Sequence, residues 1–258
     1  MDLQLNDAIV LIAGSSRGIG LATAKAFLEE GAKVMITGRD IDDVRTAKED
    51  LVAQFGPEHV FSFSGDLCEK KDIDACLAAL RAHWGEPTCV VANIGRGRLP
   101  KDWQFSTEQW EEAFRLNFHG SVLLAEAVLA AMFVAKRGSI VFTASIAGVE
   151  NIGAPAPYAA AKAALIAYSK TLATQAAAHQ VRVNCIAPGN ILFPGGSWEQ
   201  RLREDTTGTK AHIQANVPLQ RFGTPEEIAN AIVFLSSSKS AFTTGACVVV
   251  DGGQTHSL

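Results

Sequence analysis

The sequence lacks a surplus of positive charge. Its 23 lysines and arginines are outnumbered by 27 aspartates and glutamates, for a net charge of −4. With a pI near 5.9, nothing suggests a basic face for nucleic acid, and no such partner is expected. Cysteine is sparse. Cys68, Cys76, Cys89, Cys185 and Cys247 are five in number and far apart, with no C-x-x-C. Such a set argues against a disulfide framework and a zinc site, and reads as small buried hydrophobes in a reducing cytosol. The six histidines never fall at metal-ligand spacing, so no metal is expected. The chain opens on MDLQLND, acidic rather than basic, and the apolar run from Ala8 to Ala13 is too short for a secretory signal. No stretch is read as long enough to span a membrane. These absences lead to the expectation of a cytoplasmic protein. No linker, repeat or low-complexity tract interrupts residues 1–258, which predicts a single domain.

What is present is ample core material: 48% of residues are hydrophobic and 19% charged. Seven short, near-continuously apolar runs read as strands: DAIVLIA, AKVMITG, HVFSFSG, TCVVAN, GSIVFTA, VRVNCIA and ACVVVDG. Longer helical stretches separate them, as right-handed crossovers require. The pattern predicts an α/β fold, a doubly wound seven-stranded parallel sheet with helices on both faces. Thr224 and Pro225 are suited to open a helix, and so is Pro157. Residues 190–214 are polar, hold Pro194, Gly195 and Gly196, and have only a weak helical period. They read as a mobile insertion, a substrate lid rather than core.

Between the first strand and the first helix stands IAGSSRGIGLATAKAF, with Gly14, Gly18 and Gly20 in its loop. Glycine permits backbone angles and close approaches that a Cβ forbids. The free N–H groups of the helix start favour an anion, so a pyrophosphate is the natural guest. The spacing is G-x-x-x-G-x-G, not the G-x-G-x-x-G of the usual dinucleotide fingerprint.

That spacing resembles the short-chain dehydrogenase/reductase family, nearest to its 3-oxoacyl-(acyl-carrier-protein) reductase-like members, and the resemblance covers essentially the whole chain. The family's T-G-x-x-x-G-x-G appears as AGSSRGIG, with Ala13 in place of Thr. Asp66-Leu67 matches the acidic position that contacts adenine, and Asn93-Ile94-Gly95 matches Asn-Ala-Gly. Asn117, Ser145, Tyr158 and Lys162 match the catalytic set in order and spacing, and Pro188-Gly189 follows the sixth strand. The resemblance implies a Rossmann fold and an oxidoreductase acting on CH–OH groups. It also implies a homotetramer, or at least a dimer, built on the helix over 106–135 and the Ala-rich helix from Tyr158. The implied dinucleotide contacts are Gly14, Ser16, Arg17, Gly18, Ile19, Gly20, Arg39, Asp66, Leu67, Asn93, Gly95, Tyr158, Lys162, Pro188, Gly189 and Ile191.

Tyr158 and Lys162, four apart in a helix, share one face. A lysine ammonium beside the phenol is expected to lower its pKa, fitting Tyr158 to act as general acid or base. Ser145 ends a strand, where its hydroxyl can bind a substrate carbonyl oxygen. Asn117 is a mediocre helix former inside a long helix, and local loosening there is expected to hold a relay water. After the second strand, the usual acidic position is Gly38 and Arg39 follows. Arg39, with Arg17, favours the 2′-phosphate of NADP(H) over NAD(H). Asp40, one residue on, reads as a helix cap.

Phe193 stands where many family members carry the Thr that contacts the carboxamide, and Thr174 where reductases of carrier-bound substrates often carry a basic residue. Lys136 and Arg137 keep part of a carrier-protein surface. Arg96, Arg98 and Lys101 place positive charge at the expected cleft mouth. The expectation is an NADP(H)-dependent reductase or dehydrogenase of a small carbonyl or secondary alcohol, with an acyl carrier protein as a further candidate partner. The rivals are an NAD(H)-dependent polyol, sugar or hydroxysteroid dehydrogenase and a non-catalytic dinucleotide sensor.

Overall fold

The computed structural model describes residues 2–97 and 103–256. Arg98 and Lys101 lie outside them. Strands and helices alternate as β1 (Ile9–Ala13), α1 (Gly18–Glu29), β2 (Lys33–Gly38), α2 (Ile41–Phe55), β3 (Val60–Ser64), α3 (Lys70–His83), β4 (Cys89–Ala92), α4 (Thr107–Phe114), α5 (Gly120–Ala135), β5 (Gly138–Thr143), α6 (Ala156–Ala176), β6 (Val181–Pro188), α7 (Ser197–Glu204), α8 (Thr206–Asn216), α9 (Pro225–Ser236) and β7 (Cys247–Val250). All seven strands pair in parallel, in the order β3-β2-β1-β4-β5-β6-β7.

Both faces of the sheet are apolar because successive strand residues point to opposite sides. Leu11, Met35, Val90 and Ile140 face one cluster, packed against Leu77, Leu124, Met132 and Leu165. Val10, Ile12, Val34 and Val91 face the other, packed against Phe27, Leu51, Ile228 and Ile232. Strand order reverses between β1 and β4. A crevice opens outside the carboxyl ends of the strands at such a reversal.

The local signals at helix starts hold. The Asp40 carboxylate accepts from the N–H groups of Asp42 and Asp43 at the head of α2. Thr224 and Glu227 form a capping box at α9 with Pro225 in its first turn. Four of the cysteines are buried, Cys247 is half-buried, and none is bridged.

Three expectations need correction. The stretch over 106–135 is not one regular helix. Ser106 caps α4 in a capping box with Gln109, a π-helical turn over Arg115–His119 follows, and α5 continues from it. Together, Thr107–Ala135 is 29 residues with a mean hydropathy of 1.8 in its most apolar window. By length and composition it is therefore long and apolar enough to cross a membrane, contrary to the expectation that no stretch is. The charged first turns and the π turn hid this continuity in the sequence. One side of α5 lies on the sheet through Leu124, Val128 and Met132, yet only 33% of that window is buried. Residues 190–214, expected as irregular, fold largely into α7 and α8. Thr209 and Ile213 are buried on α8, and Asn190 is buried and donates to the side-chain oxygen of Gln254.

Candidate active site

A cleft of about 570 Å3 runs along the carboxyl ends of the strands. It is lined by the glycine loop, the ends of β2, β4, β5 and β6, the start of α6, and the 190–214 segment. Its substrate end is formed by Arg96 and Gly97, by Ile146, Ala147 and Ile152 to Pro155, and by residues of α7 with His212 of α8.

The glycine loop is shaped by close backbone approach. Gly14 has φ +64, and a Cβ on it would lie 2.7 Å from the Asn93 carbonyl oxygen. The Asn93 amide donates to the Gly14 carbonyl at 2.9 Å, fastening the loop to the end of β4. A Cβ on Gly20 would run into that same Gly14 carbonyl. At the head of α1 no side chain caps the helix and no acidic residue stands in its first turn. By contrast, α2, α4 and α9 each carry both. An uncapped, acid-free helix start behind three close-packed glycines leaves backbone donors for an anion, so the loop fits a dinucleotide pyrophosphate.

At the adenine end, Arg39, Asp66 and Leu67 line the cleft. Asp40 is turned into its helix cap, and Arg39 forms no ion pair among the described residues. Burial alone would raise the Asp66 pKa, but the Cys68 N–H and Arg115 outweigh it and hold the carboxyl below its ordinary value. Arg115 reaches Asp66 at 3.2 Å, Glu69 at 3.4 Å and Glu112 at 2.7 Å. Sequence reasoning missed this arginine, because a pairing across 49 positions leaves no local signal.

At the other end stand Ser145, Tyr158 and Lys162. Ser145 follows β5, and its hydroxyl accepts from the Ala147 N–H at 3.2 Å. Tyr158 stands in the first turn of α6 and is half-buried. Burial pushes its phenol above the ordinary pKa, and a hydrogen bond with Ser145 draws it partly back. Lys162, 3% exposed, donates to the carbonyl of Thr143 at 2.8 Å and of Ile94 at 3.4 Å. Burial pulls its pKa down to about 8, with a small opposing pull from Cys185. The expected lowering of the Tyr158 pKa by Lys162 is thus not seen. The ammonium is committed to two backbone carbonyls, and desolvation governs the phenol.

Asn117 sits in the π turn, 1% exposed, and does not line the cleft. Its side chain holds the loop that does. A Cβ on Gly95 would lie 2.8 Å from Asn117 Oδ1 and 2.9 Å from Lys162 Nζ, so the Asn93–Gly95 backbone fills the gap between them. The Thr143 hydroxyl is buried on the cleft wall with no hydrogen-bond partner among the described residues. An orphaned hydroxyl beside Lys162 marks a place for a polar ligand, and sequence reasoning did not single it out. Of the other expected contacts, Ser16, Arg17, Ile19, Pro188, Gly189 and Ile191 line the cleft, whereas Gly18 and Gly20 support it from behind. Phe193 is half-buried and lines the cleft, with its ring against Gly18 and Gly196.

A glycine cradle that fits a pyrophosphate, in one cleft with Ser145, Tyr158 and a buried lysine, points to a dinucleotide-dependent oxidoreductase. Sequence comparison specifies which kind. A family model described as enoyl-(acyl carrier protein) reductase matches residues 13–255. The 2-(S)-hydroxypropyl-CoM dehydrogenase 3 of Xanthobacter autotrophicus is 34% identical over 256 residues, covering 99% of each chain. The 3-oxoacyl-(acyl-carrier-protein) reductase FabG of Escherichia coli is 34% identical over 251 residues, 97% of this chain and 98% of that protein. L-Sorbose reductase from Gluconobacter frateurii, solved with NADPH and L-sorbose, superposes with a TM-score of 0.92 at 34% identity over all of both chains. The chain belongs to the short-chain dehydrogenase/reductase family and is an oxidoreductase of carbonyl and CH–OH groups.

Proposed function

We propose that this chain is an NADP(H)-dependent reductase of a small carbonyl compound, run in reverse as a secondary-alcohol dehydrogenase. The observation that carries the chemistry is that Ser145, Tyr158 and the buried Lys162 line the same cleft as the glycine loop. The dinucleotide supplies or accepts the hydride, and the protein's part is position and protons. Ser145 donates to the substrate oxygen as negative charge builds there. Tyr158 delivers the proton to that oxygen, and its burial keeps the phenol protonated at neutral pH. Lys162, Asn117 and the Asn93–Gly95 backbone fix the floor of the pocket. A pure dinucleotide sensor has no use for this arrangement.

Cofactor choice rests on Arg39 and Arg17. Both line the cleft without an ion-pair partner among the described residues, while Asp40, a rival for a ribose hydroxyl, is engaged in capping α2. The NADPH in the sorbose reductase complex supports the same choice. Fluorescence titration with NADPH and NADH tests it. NADPH should bind the more tightly, and Arg39→Asp should reverse the order; tighter NADH binding by the unaltered protein overturns the assignment. Thr174, in place of a basic residue, and the exposed Lys136 and Arg137 give a carrier protein only a partial surface. The proposed substrate is therefore a free small molecule.

A further inference from the structure

The lid helix α7 carries an arginine that its own sequence leaves uncompensated. Arg201 lines the cleft that holds Ser145 and Tyr158. Its guanidinium carbon stands 4.6 Å over the ring of Trp198. The ring is itself fixed, stacked on His212 at 5.6 Å and tilted against Phe222 at 5.5 Å. A guanidinium held over an aromatic face is oriented and partly desolvated, yet keeps its donors for a ligand.

The acids around Arg201 are each committed elsewhere. Glu199 pairs with Arg203 at 3.1 Å and accepts from the Gly195 N–H at 2.8 Å. Glu204 accepts from the Gln200 side chain at 2.6 Å. Asp205 caps α8 through the Gly208 N–H at 2.8 Å. Arg201 has no ion pair among the described residues. The carboxylates that line the cleft are Asp40, Asp43 and Asp66, all near the adenine end. Arg96 adds a second exposed cation on the cleft wall.

We propose that Arg201, seated on Trp198, is the subsite for an anionic group carried by the substrate away from its reacting carbonyl: a carboxylate, sulfonate or phosphate. The inference rests on the reductase reading and narrows its substrates to small oxo or hydroxy compounds with an anionic tail. A planar guanidinium grips such a group with two parallel hydrogen bonds, which fixes the distance from anchor to carbonyl. An uncharged analogue would leave the arginine without a partner in the cleft.

The experiment uses matched probes, 4-oxopentanoate and 3-oxobutane-1-sulfonate against methyl 4-oxopentanoate and butan-2-one. Calorimetry on the enzyme with its dinucleotide reads binding, and steady-state kinetics read turnover. The variants are Arg201→Gln, Arg201→Lys and Trp198→Leu, with Arg203→Gln as the control on the same helix. The anionic probes should bind and react at least about tenfold better than their neutral partners. Arg201→Gln should abolish that advantage through KM with kcat retained, and Arg201→Lys should restore only part of it. Arg203→Gln should change neither probe class. Equal losses on charged and neutral probes, no anion binding, or a weakened dinucleotide with unchanged probe binding would each overturn the subsite. Arg201-dependent anion binding without turnover of any probe would instead count against the reductase reading and leave the subsite standing.

Discussion

Asn117 holds the backbone of Arg96 at both ends. Its side-chain oxygen accepts from the Arg96 N–H at 2.9 Å, and its amide donates to the Arg96 carbonyl at 3.2 Å. The same amide donates to the Ala113 carbonyl at 3.0 Å, inside the turn where the helix loosens. The residue thus ties the π turn to the cleft wall in front of Tyr158. Asn117→Ala should leave buried groups unpaired and cost about 1–3 kcal/mol of stability. Turnover should fall with it, because Gly97 lies against the Tyr158 ring and the loop would drift. Denaturant unfolding and initial rates on one preparation check both effects. Unchanged stability would show that the paired bonds do not anchor the loop.

Tyr158→Phe keeps the ring and removes the transferable proton. The turnover should drop by about 10²–10⁴-fold while dinucleotide affinity stays within about twofold. Burial raises the phenol pKa, so the acid form persists through neutral pH. Reduction should therefore hold steady from acid to neutral pH and fall only in alkali. Oxidation needs the phenolate and should climb over the same alkaline range. A reduction rate that falls below neutrality with rising pH would remove Tyr158 as the proton donor.

Lys162 is buried with its pKa drawn down from 10.5 to about 8. For a base, a folded-state pKa below the unfolded one means that the charged form is penalised in the fold. That penalty is fully present below about pH 8 and is relieved as pH rises through 8 toward 10.5. Lys162→Met should thus raise the Tm at pH 7, with a gain that shrinks as pH approaches 10, while turnover collapses. A gain that grows with pH would contradict the sign.

How far the sequence carried depends on the range of each contact. The seven strands were legible because strands buried on both faces are apolar throughout, as β1 and β4 are. The caps Asp40 and Thr224 were legible because capping acts within three residues. The π turn at Asn117 was visible only as a weak helix former in an otherwise strong run. The destination of the Lys162 ammonium was not visible, since Thr143 and Ile94 are 19 and 68 positions away. The helical order of residues 190–214 was obscured by their polarity. Their anchoring uses Asn190 with Gln254 and Ile191 beside Gly223, contacts that only the folded chain brings together.

Association should follow from the uncovered apolar side of Thr107–Ala135. Val134 is 88% exposed and Trp110 is 37% exposed on that stretch, and α6 runs beside it. A symmetric partner is the usual cover for such a face, so a homotetramer, or at least a dimer, is the expected state. Light scattering at micromolar concentration measures it. A species of 27.4 kDa would show that the chain stands alone.

Gly18 and Phe193 join the glycine loop to the 190–214 segment. Gly18 has φ +56, and a Cβ on it would lie 2.6 to 2.8 Å from three atoms of the Phe193 ring. The same ring lies 3.1 Å from where a Gly196 Cβ would stand, so it sits between the two glycines. Gly18→Ala therefore meets two separate obstacles. One is backbone strain, about 1 kcal/mol for a non-glycine residue in the left-handed region. The other is the clash with the ring, which only moving Phe193 relieves. Dinucleotide affinity should fall sharply in Gly18→Ala and only modestly in Phe193→Ala. In the double variant the clash is gone and the strain remains, so affinity should recover most of the way. Fluorescence titration of the three variants closes the cycle. Purely additive losses would mean that the ring does not bear on the loop. The same variants report on the lid, because the Arg17 guanidinium lies 2.7 Å from the Cβ position of Gly195 and Phe193 packs beside it. If the ring fastens the 190–214 segment to the loop, proteolysis within that segment should quicken in Phe193→Ala and slow again on adding dinucleotide. A rate indifferent to both changes would leave the Gly18 clash as a local matter with no bearing on the lid.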